Sequence, residues 1–200
     1  MFTGIVEANG KITAMNYKND CCILKINLAE EFNDSKVGDS ISINGICFTI
    51  TEKEKEHFYV TAAPETIRLT TVSAFRLNHL VNIERAMQIN SRFGGHYVQG
   101  HIDCTGEIIA ISPEADDVIA VKISVPQQIT KFIIHKGYIG IDGMSITITA
   151  VEKDNFSVMF IPHTIQNTIV KNYHVGSKVN IEVDMLAKYI EKLLLEKKYE

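Results

Sequence analysis

Apolar and polar residues alternate in short stretches along most of this chain. SISINGICFTIT and IGIDGMSITIT contain β-branched runs of this kind, and an Asn-Gly or Asp-Gly pair interrupts each run. Such a pair favours a tight hairpin turn, because glycine tolerates a positive φ. The alternation returns in HFYVTAA, VNIERAM, AVKISV, FSVMFI and VNIEVDM. Several short strands separated by turn signals predict a small barrel or sandwich.

The last residues have a different pattern. MLAKYIEKLLLEKKYE contains no Gly or Pro, and one helical face is marked by Leu186, Ile190, Leu193, Leu194 and Lys197. We predict an amphipathic helix that packs its apolar stripe either on the chain's own barrel or on copies from other subunits. Two shorter segments, PETIRLTT and PHTIQNTI, begin with Pro and predict short helices or turns.

The chain also repeats itself. Residues 1–15 match residues 97–111 through Gly-x5-Gly followed by Ile-x-Ala, at an offset of 96. Residues 44–51 match residues 142–149, and residues 63–87 match residues 161–185, both at an offset of 98. A nearly constant offset over three segments indicates an internal duplication. A copy of roughly 90–100 residues is long enough to form its own core.

Composition excludes several classes of protein. Of 200 residues, 46% are hydrophobic and 22% are charged, which is ordinary globular usage and argues against disorder. The net charge of −4 shows no basic excess, so we expect no nucleic-acid partner. We find no apolar run of membrane-spanning length and no signal peptide in MFTGIVEANGK. The four cysteines have neither disulfide-framework nor zinc spacing, which suggests reduced thiols in a cytoplasmic protein.

The two copies differ at positions that bear on chemistry. Polar, titratable groups replace apolar ones mostly in the second copy; the aligned pairs are Cys47 with Ser145, Ile5 with His101, Glu65 with His163, and Ala86 with Asp184. A further cluster consists of His96, His101, Asp103 and Cys104. On a strand these four side chains would divide between two faces, so we expect no metal site there.

Motifs from both copies and the tail together resemble the riboflavin synthase α chain family. They are MFTGIVE, NGICFTIT, RFGGHYVQGHID, KGYIGIDGMSITIT, PHTIQNTI and VNIEVDMLAKYIE, in order along nearly the whole chain. The resemblance implies an all-β fold of two tandem six-stranded Greek-key barrels, residues 1–97 and 98–185, each binding one lumazine. It also implies a C-terminal α-helix, residues 186–200, that gathers three subunits into a homotrimer.

The same resemblance implies a transferase of riboflavin biosynthesis. Members of that family dismutate two molecules of 6,7-dimethyl-8-ribityllumazine by transfer of a four-carbon unit, giving riboflavin and 5-amino-6-ribitylaminouracil. They require neither a metal nor an organic cofactor. Two lumazines meet in an active site that joins the N-terminal barrel of one subunit to the C-terminal barrel of its neighbour. Association with lumazine synthase is left open.

The resemblance also implies which residues serve the site. In the first copy the substrate-binding residues are Phe2, Gly4, Ile5, Val6, Cys47, Phe48, Thr49, Thr61, Ala62, Ala63, Pro64, Glu65 and Thr66. In the second barrel they are Gly100, His101, Ile102, Lys136, Ser145, Ile146, Thr147, Ile161, Pro162, His163, Thr164, Ile165 and Gln166. We assign proton transfer to His101, because imidazole titrates near neutral pH. Ser145 or Cys47 would activate or deliver the nucleophile, and Asp184 would orient or polarise across the interface.

Two alternatives belong to other functional classes. Lumazine proteins have the same fold and bind lumazine or flavin without turnover, as carriers. Those relatives tend to lose the GGHxVxGHID stretch, which this chain retains as GGHYVQGHID. A tandem-barrel flavin reductase would need a nicotinamide site, and nothing in the sequence resembles one.

Overall fold

The chain folds into two closed barrels of six strands each. The computed structural model describes residues 1–27, 32 and 34–196. The first barrel consists of β1 (Ala8–Lys18), β2 (Cys21–Asn27), β3 (Ser40–Ile43), β4 (Ile46–Lys53), β5 (His57–Ala62) and β6 (Leu80–Arg85). The second consists of β7 (Cys104–Pro113), β8 (Ile119–Ser124), β9 (Tyr138–Ile141), β10 (Met144–Val151), β11 (Asn155–Phe160) and β12 (Lys178–Val183).

Both barrels have the same topology. Their strand orders are β1-β2-β5-β4-β3-β6 and β7-β8-β11-β10-β9-β12, and every neighbouring pair is antiparallel. The alternation of apolar and polar residues reflects burial on one face of each strand. In β2, for example, Cys22, Leu24 and Ile26 are buried and the residues between them point outward. Each barrel is filled by a separate apolar cluster. The predicted duplication and fold class are therefore confirmed.

The two predicted hairpin turns meet between the barrels. Asn44 and Gly45 have φ values of 46° and 78°, and Asp142 and Gly143 have φ values of 43° and 82°. A Cβ atom added to Gly45 would lie 2.6 Å from the Gly143 backbone nitrogen, so the turns pack backbone to backbone. Positive φ and this close approach together require glycine at the second turn position.

Four helices complete the described fold. They are α1 (Pro64–Leu69), α2 (Gln127–Thr130), α3 (Pro162–Asn167) and α4 (Met185–Glu196). α1 and α3 each begin with Pro and lead into a 3₁₀ turn, at Thr71–Ala74 and Ile169–Asn172; a further 3₁₀ turn lies at Ala115–Asp117. The Thr-rich segments after the strands are therefore short helices, as predicted.

The apolar stripe of α4 is not covered by its own barrel. Leu186, Ile190, Leu193 and Leu194 are 55–61% exposed. Lys197, which we placed on the same face, lies outside the described residues. Of the helices in the described part of the chain, none is long and apolar enough to cross a membrane.

Candidate active site

Two extended segments run side by side between the barrels. The N–H of Phe2 donates to the Val98 carbonyl at 2.8 Å, and the N–H of Val98 donates back at 3.2 Å. Both side chains are buried. An antiparallel bridge at Phe2 and Val98 thus joins residues 1–7 and 96–103, which precede β1 and β7 and are called the crossing segments below.

Each segment then contacts the opposite barrel. The Gly4 carbonyl accepts from the Ser145 N–H in β10, and the Gly100 carbonyl accepts from the Cys47 N–H in β4, both at 2.8 Å. Val6 packs against the core of the second barrel. Ile102, in the same way, packs against the core of the first. Each segment thus belongs to its own copy along the chain, while part of its packing is exchanged to the opposite barrel.

Glycine is required at both crossing points. Gly4 and Gly100 have φ values of 78° and 82°. A Cβ atom at Gly4 would lie 2.6 Å from the Ser145 Cβ, and one at Gly100 would lie 2.6 Å from the Cys47 Cβ. This close approach explains why Gly is shared by the two copies at this position.

The exchange defines two half-sites. β10 pairs with β9 over Met144–Thr147 and with β11 from Ile148 onward, where Ile148 faces Val158. Because these strands are antiparallel, the chain beyond Phe160 runs past Ser145–Thr147. The predicted binding residues 4–6, 145–147 and 161–166 would thus line a candidate half-site on the second barrel, and residues 100–102, 47–49 and 61–66 would line the equivalent half-site on the first.

The predicted binding residues differ in what they expose. Phe2, Phe48 and Ala62 have buried side chains, so only their backbones can meet a ligand. Exposed side chains in the two half-sites are Ile5, Thr49, Thr61, Ala63, Pro64, Glu65, His101, Thr147, Ile161, His163 and Gln166. Lys136 lies outside both stretches, on the loop before β9, where its N–H donates to the Ile148 carbonyl at 2.9 Å. Its side chain is exposed.

His96 is a functional candidate that the sequence analysis considered only as a metal ligand. Its Nδ1 lies 2.7 Å from the Ser145 Oγ, and its ring stacks on Tyr138 with centroids 5.4 Å apart. The side chain is only 4% exposed, and Nε2 has no hydrogen-bond partner within the described structure. Burial lowers the pKa of His96, and the negative charge of Asp184 opposes that shift. A neutral imidazole beside a serine hydroxyl is suited to accept its proton.

The two glycines before His96 make this contact geometrically accessible. A Cβ atom at Gly95 would lie 2.1 Å from the Thr3 carbonyl oxygen and 3.0 Å from the Ser145 Oγ. A Cβ atom at Gly94 would lie 3.2 Å from the Ile5 side chain. The Gly-Gly-His motif is therefore explained by close packing beside Ser145.

The first-barrel half-site has a different set of groups. Cys47 is a half-buried free thiol, and the exposed His101 directly follows Gly100, whose carbonyl accepts from the Cys47 N–H. The two half-sites therefore share a backbone frame and present different chemistry.

Asp184 has a structural contact that the sequence analysis did not include. Its Oδ1 accepts from the Leu186 N–H at 3.0 Å at the start of α4.

Burial raises the pKa of the Cys104 thiol to about 12, which makes Cys104 a poor ligand or nucleophile. Among the described residues, His, Cys, Asp and Glu side chains do not gather in threes as metal ligands would.

Comparisons with known proteins agree with this architecture. The family model described as "Lumazine binding domain" matches residues 3–86 and 99–184. Riboflavin synthase from Actinobacillus pleuropneumoniae is 41% identical over 98% of this chain and 91% of that protein. The enzyme from Schizosaccharomyces pombe is 40% identical over 97% of this chain and 94% of its own length.

Solved structures give the same fold. LumP complexed with 6,7-dimethyl-8-(1'-D-ribityl) lumazine superposes with a TM-score of 0.83 at 23% identity, covering 92% of this chain and 99% of that one. LumP complexed with riboflavin gives a TM-score of 0.84 at 24% identity, with the same coverage. At this identity the likeness concerns the fold alone. From the two matched domains and the full-length relatives, the chain belongs to the riboflavin synthase family of lumazine-binding proteins.

Proposed function

We propose that this chain catalyses the dismutation of two 6,7-dimethyl-8-ribityllumazine molecules to riboflavin and 5-amino-6-ribitylaminouracil. The observation that supports it most is the pair of half-sites with one frame and different groups. Two identical substrates that take opposite roles need similar pockets that treat them differently. Holding the two molecules in the reactive orientation can supply up to ~7–11 kcal/mol of the barrier.

The second-barrel half-site has the more specific constellation. Ser145 Oγ and His96 Nδ1 are 2.7 Å apart, so the neutral ring is placed to take the hydroxyl proton as the oxygen, or a water it holds, adds to C7 of one lumazine. Asp184 favours the protonated ring that forms in this step, because its negative charge raises the pKa of His96. Its role is thus to support His96.

The first-barrel half-site is suited to proton transfer. The 7-methyl group of lumazine is unusually acidic for a methyl, because the ring delocalises the resulting carbanion. His101 is exposed, follows Gly100 in the chain, and is the base that we assign to this proton. Backbone groups of residues 47–49 and 61–66 would meet the pteridine edge. Thr hydroxyls and Lys136 would hold the ribityl chain or ring oxygens.

We further propose a homotrimer held by α4. Four apolar side chains that are 55–61% exposed on one helix are expected to be covered by another protein surface. Residues 1–97 and 98–185 would each bind one lumazine, and residues 186–200 would bring the first barrel of one subunit against the second barrel of the next. The free cysteines are consistent with a cytoplasmic location. Association with lumazine synthase would be tested by co-sedimentation of the two proteins.

Incubation with the lumazine tests the activity. The purified protein is mixed with 6,7-dimethyl-8-ribityllumazine at neutral pH without added metal or cofactor, and absorbance and fluorescence are followed against a protein-free blank. We expect one riboflavin for each two lumazines consumed. Tight binding with altered lumazine emission and no conversion would identify a carrier and overturn the proposal.

A further inference from the structure

Two buried glutamates occupy equivalent positions in the last strand of each barrel. Glu84 lies in β6 and Glu182 in β12, and their side chains are 5% and 2% exposed. Glu84 Oε1 accepts from the Thr3 N–H at 2.7 Å, and Oε2 accepts from the Gly4 N–H at 3.1 Å. Glu182 Oε1 accepts from the Gln99 N–H at 2.7 Å, and Oε2 from the Gly100 N–H at 2.9 Å.

These carboxylates hold the crossing segments at the points where they change barrels. The glycine whose N–H each glutamate binds is also the residue whose carbonyl accepts from the opposite barrel. A line of contacts therefore runs from Glu84 through Gly4 to Ser145, and a second runs from Glu182 through Gly100 to Cys47. Each glutamate belongs to one barrel and fixes a wall of the half-site on the other.

We infer that Glu84 and Glu182 are positioning residues, Glu84 for the second-barrel half-site and Glu182 for the first-barrel half-site. Neither side chain reaches a reacting atom, because each is enclosed between β6 or β12 and a crossing segment. The inference rests on the proposed function, since it concerns the half-sites that would bind lumazine.

The carboxylate is the group that this geometry requires. An ionised carboxylate offers only acceptors, so both of its oxygens can face N–H donors. A glutamine at the same place would turn an NH₂ group toward one of those N–H groups and leave two donors opposed. Burial raises the pKa of Glu84. Burial also raises the pKa of Glu182 to about 7; the charge of Lys188 acts to lower that pKa, and the charge of Asp103 acts to raise it. Because burial disfavours the charged form of both glutamates, we expect each buried carboxylate to have a specific structural or functional role.

The experiment compares Glu84→Gln and Glu182→Gln with Glu152→Gln, which removes an exposed carboxylate paired with Lys122 at 2.7 Å. The readouts are kcat, KM for the lumazine, and the rate at which iodoacetamide labels Cys47. Cys21, a second free and half-buried thiol, is the internal reference for labelling. Folding is checked by thermal unfolding.

We expect both buried variants to lose at least tenfold in kcat/KM while Glu152→Gln stays within twofold. Labelling of Cys47 should rise at least fivefold in Glu182→Gln, because Gly100 loses its bond to Glu182 and no longer fixes the Cys47 backbone. Labelling of Cys47 should stay within twofold of the wild type in Glu84→Gln. If the rise is equal in both variants, or absent in Glu182→Gln, the assignment of one glutamate to each half-site is wrong. Retention of wild-type turnover in either buried variant overturns it as well.

Two provisions keep the test decisive. If a glutamine variant does not fold, Glu84→Asp and Glu182→Asp keep the charge and shorten its reach, and the same asymmetry in Cys47 labelling is expected. If the wild-type protein shows no turnover, the proposed reaction fails, but the labelling comparison still tests the positioning role because it needs no catalysis.

Discussion

Replacement of Asp142 by Asn should remove a loss of folding stability that the wild-type protein shows as the pH rises, at the contact between the two barrels. Asp142 is 2% exposed in the hairpin turn of the second barrel. Its Oδ1 accepts from the Asn180 N–H at 2.8 Å, and its Oδ2 accepts from the Tyr173 hydroxyl at 2.6 Å. The first copy already has the amide version, in which the Asn44 Oδ1 accepts from the Asn82 N–H at 2.7 Å. Asparagine therefore fits this turn.

The size of the effect follows from the pKa of Asp142. Burial raises it from 3.8 to about 7, against the opposing effect of the bonds from Tyr173 and Asn180. Between these two values the folded protein holds a proton that the unfolded chain has released. The contribution of protonated Asp142 to the free energy of unfolding is thus fully present below pH 3.8 and is lost as the pH rises to about 7. Integrated from pH 5 to pH 8, the loss is about 2.5 kcal/mol.

Urea unfolding of both proteins at four pH values and one protein concentration measures this difference. We expect Asp142→Asn to gain about 2.5 kcal/mol relative to the wild type between pH 5 and pH 8. Other titrating groups cancel, because they are common to both proteins. The reverse change, Asn44→Asp, places a carboxyl in the turn of the first copy. The residue aligned with Tyr173 is Phe75 there, so no tyrosine hydroxyl can donate to the new carboxyl, and stability should fall more steeply with rising pH than in the wild type. Parallel stability curves for wild type and Asp142→Asn would refute the reasoning.

Three further changes address the site and the assembly. Ser145→Ala removes the hydroxyl beside His96 and should lower kcat by about 10²-fold or more, measured by riboflavin formation, while the protein stays folded and loses at most about 1–3 kcal/mol of stability from the unpaired His96 Nδ1; an unchanged kcat would contradict its role. Gly95→Ala places a methyl 2.1 Å from the Thr3 carbonyl oxygen and should destabilise the fold several times more than Gly94→Ala, whose methyl meets only the Ile5 side chain at 3.2 Å, as measured by urea unfolding. Leu193→Glu charges the exposed stripe of α4 and should give a 22.4 kDa species in sedimentation with little turnover; a trimer with full activity would show that α4 does not join subunits.

The sequence predicted those parts of the fold that have local causes. Alternation along β2 and the dipeptides at Asn44 and Asp142 act over a few residues, so strands and hairpins follow from short-range rules. The exchange of residues 1–7 and 96–103 has no such signal. It depends on pairing between Phe2 and Val98 and on packing against the opposite core, which are contacts over about half the chain.

The comparison of the two copies explains both what was found and what was missed in the site. It singled out Ser145 because Cys47 stands opposite it. The same comparison could not single out His96, which lies outside the three matched segments, or Glu84 and Glu182, which are identical in the two copies. A search for differences passes over a residue that serves the same purpose twice.

The exchange of segments ties each half-site to both barrels. Glu84 in β6 accepts from the Gly4 N–H, yet the Gly4 carbonyl accepts from Ser145 in β10. Neither barrel alone therefore contains a whole half-site. Residues shared by the copies keep the frame equal, whereas Cys47 and the pair of Ser145 with His96 make the chemistry unequal. A duplicated fold can in this way place one molecule against a thiol and an identical molecule against an activated hydroxyl, as a reaction between two copies of one substrate requires.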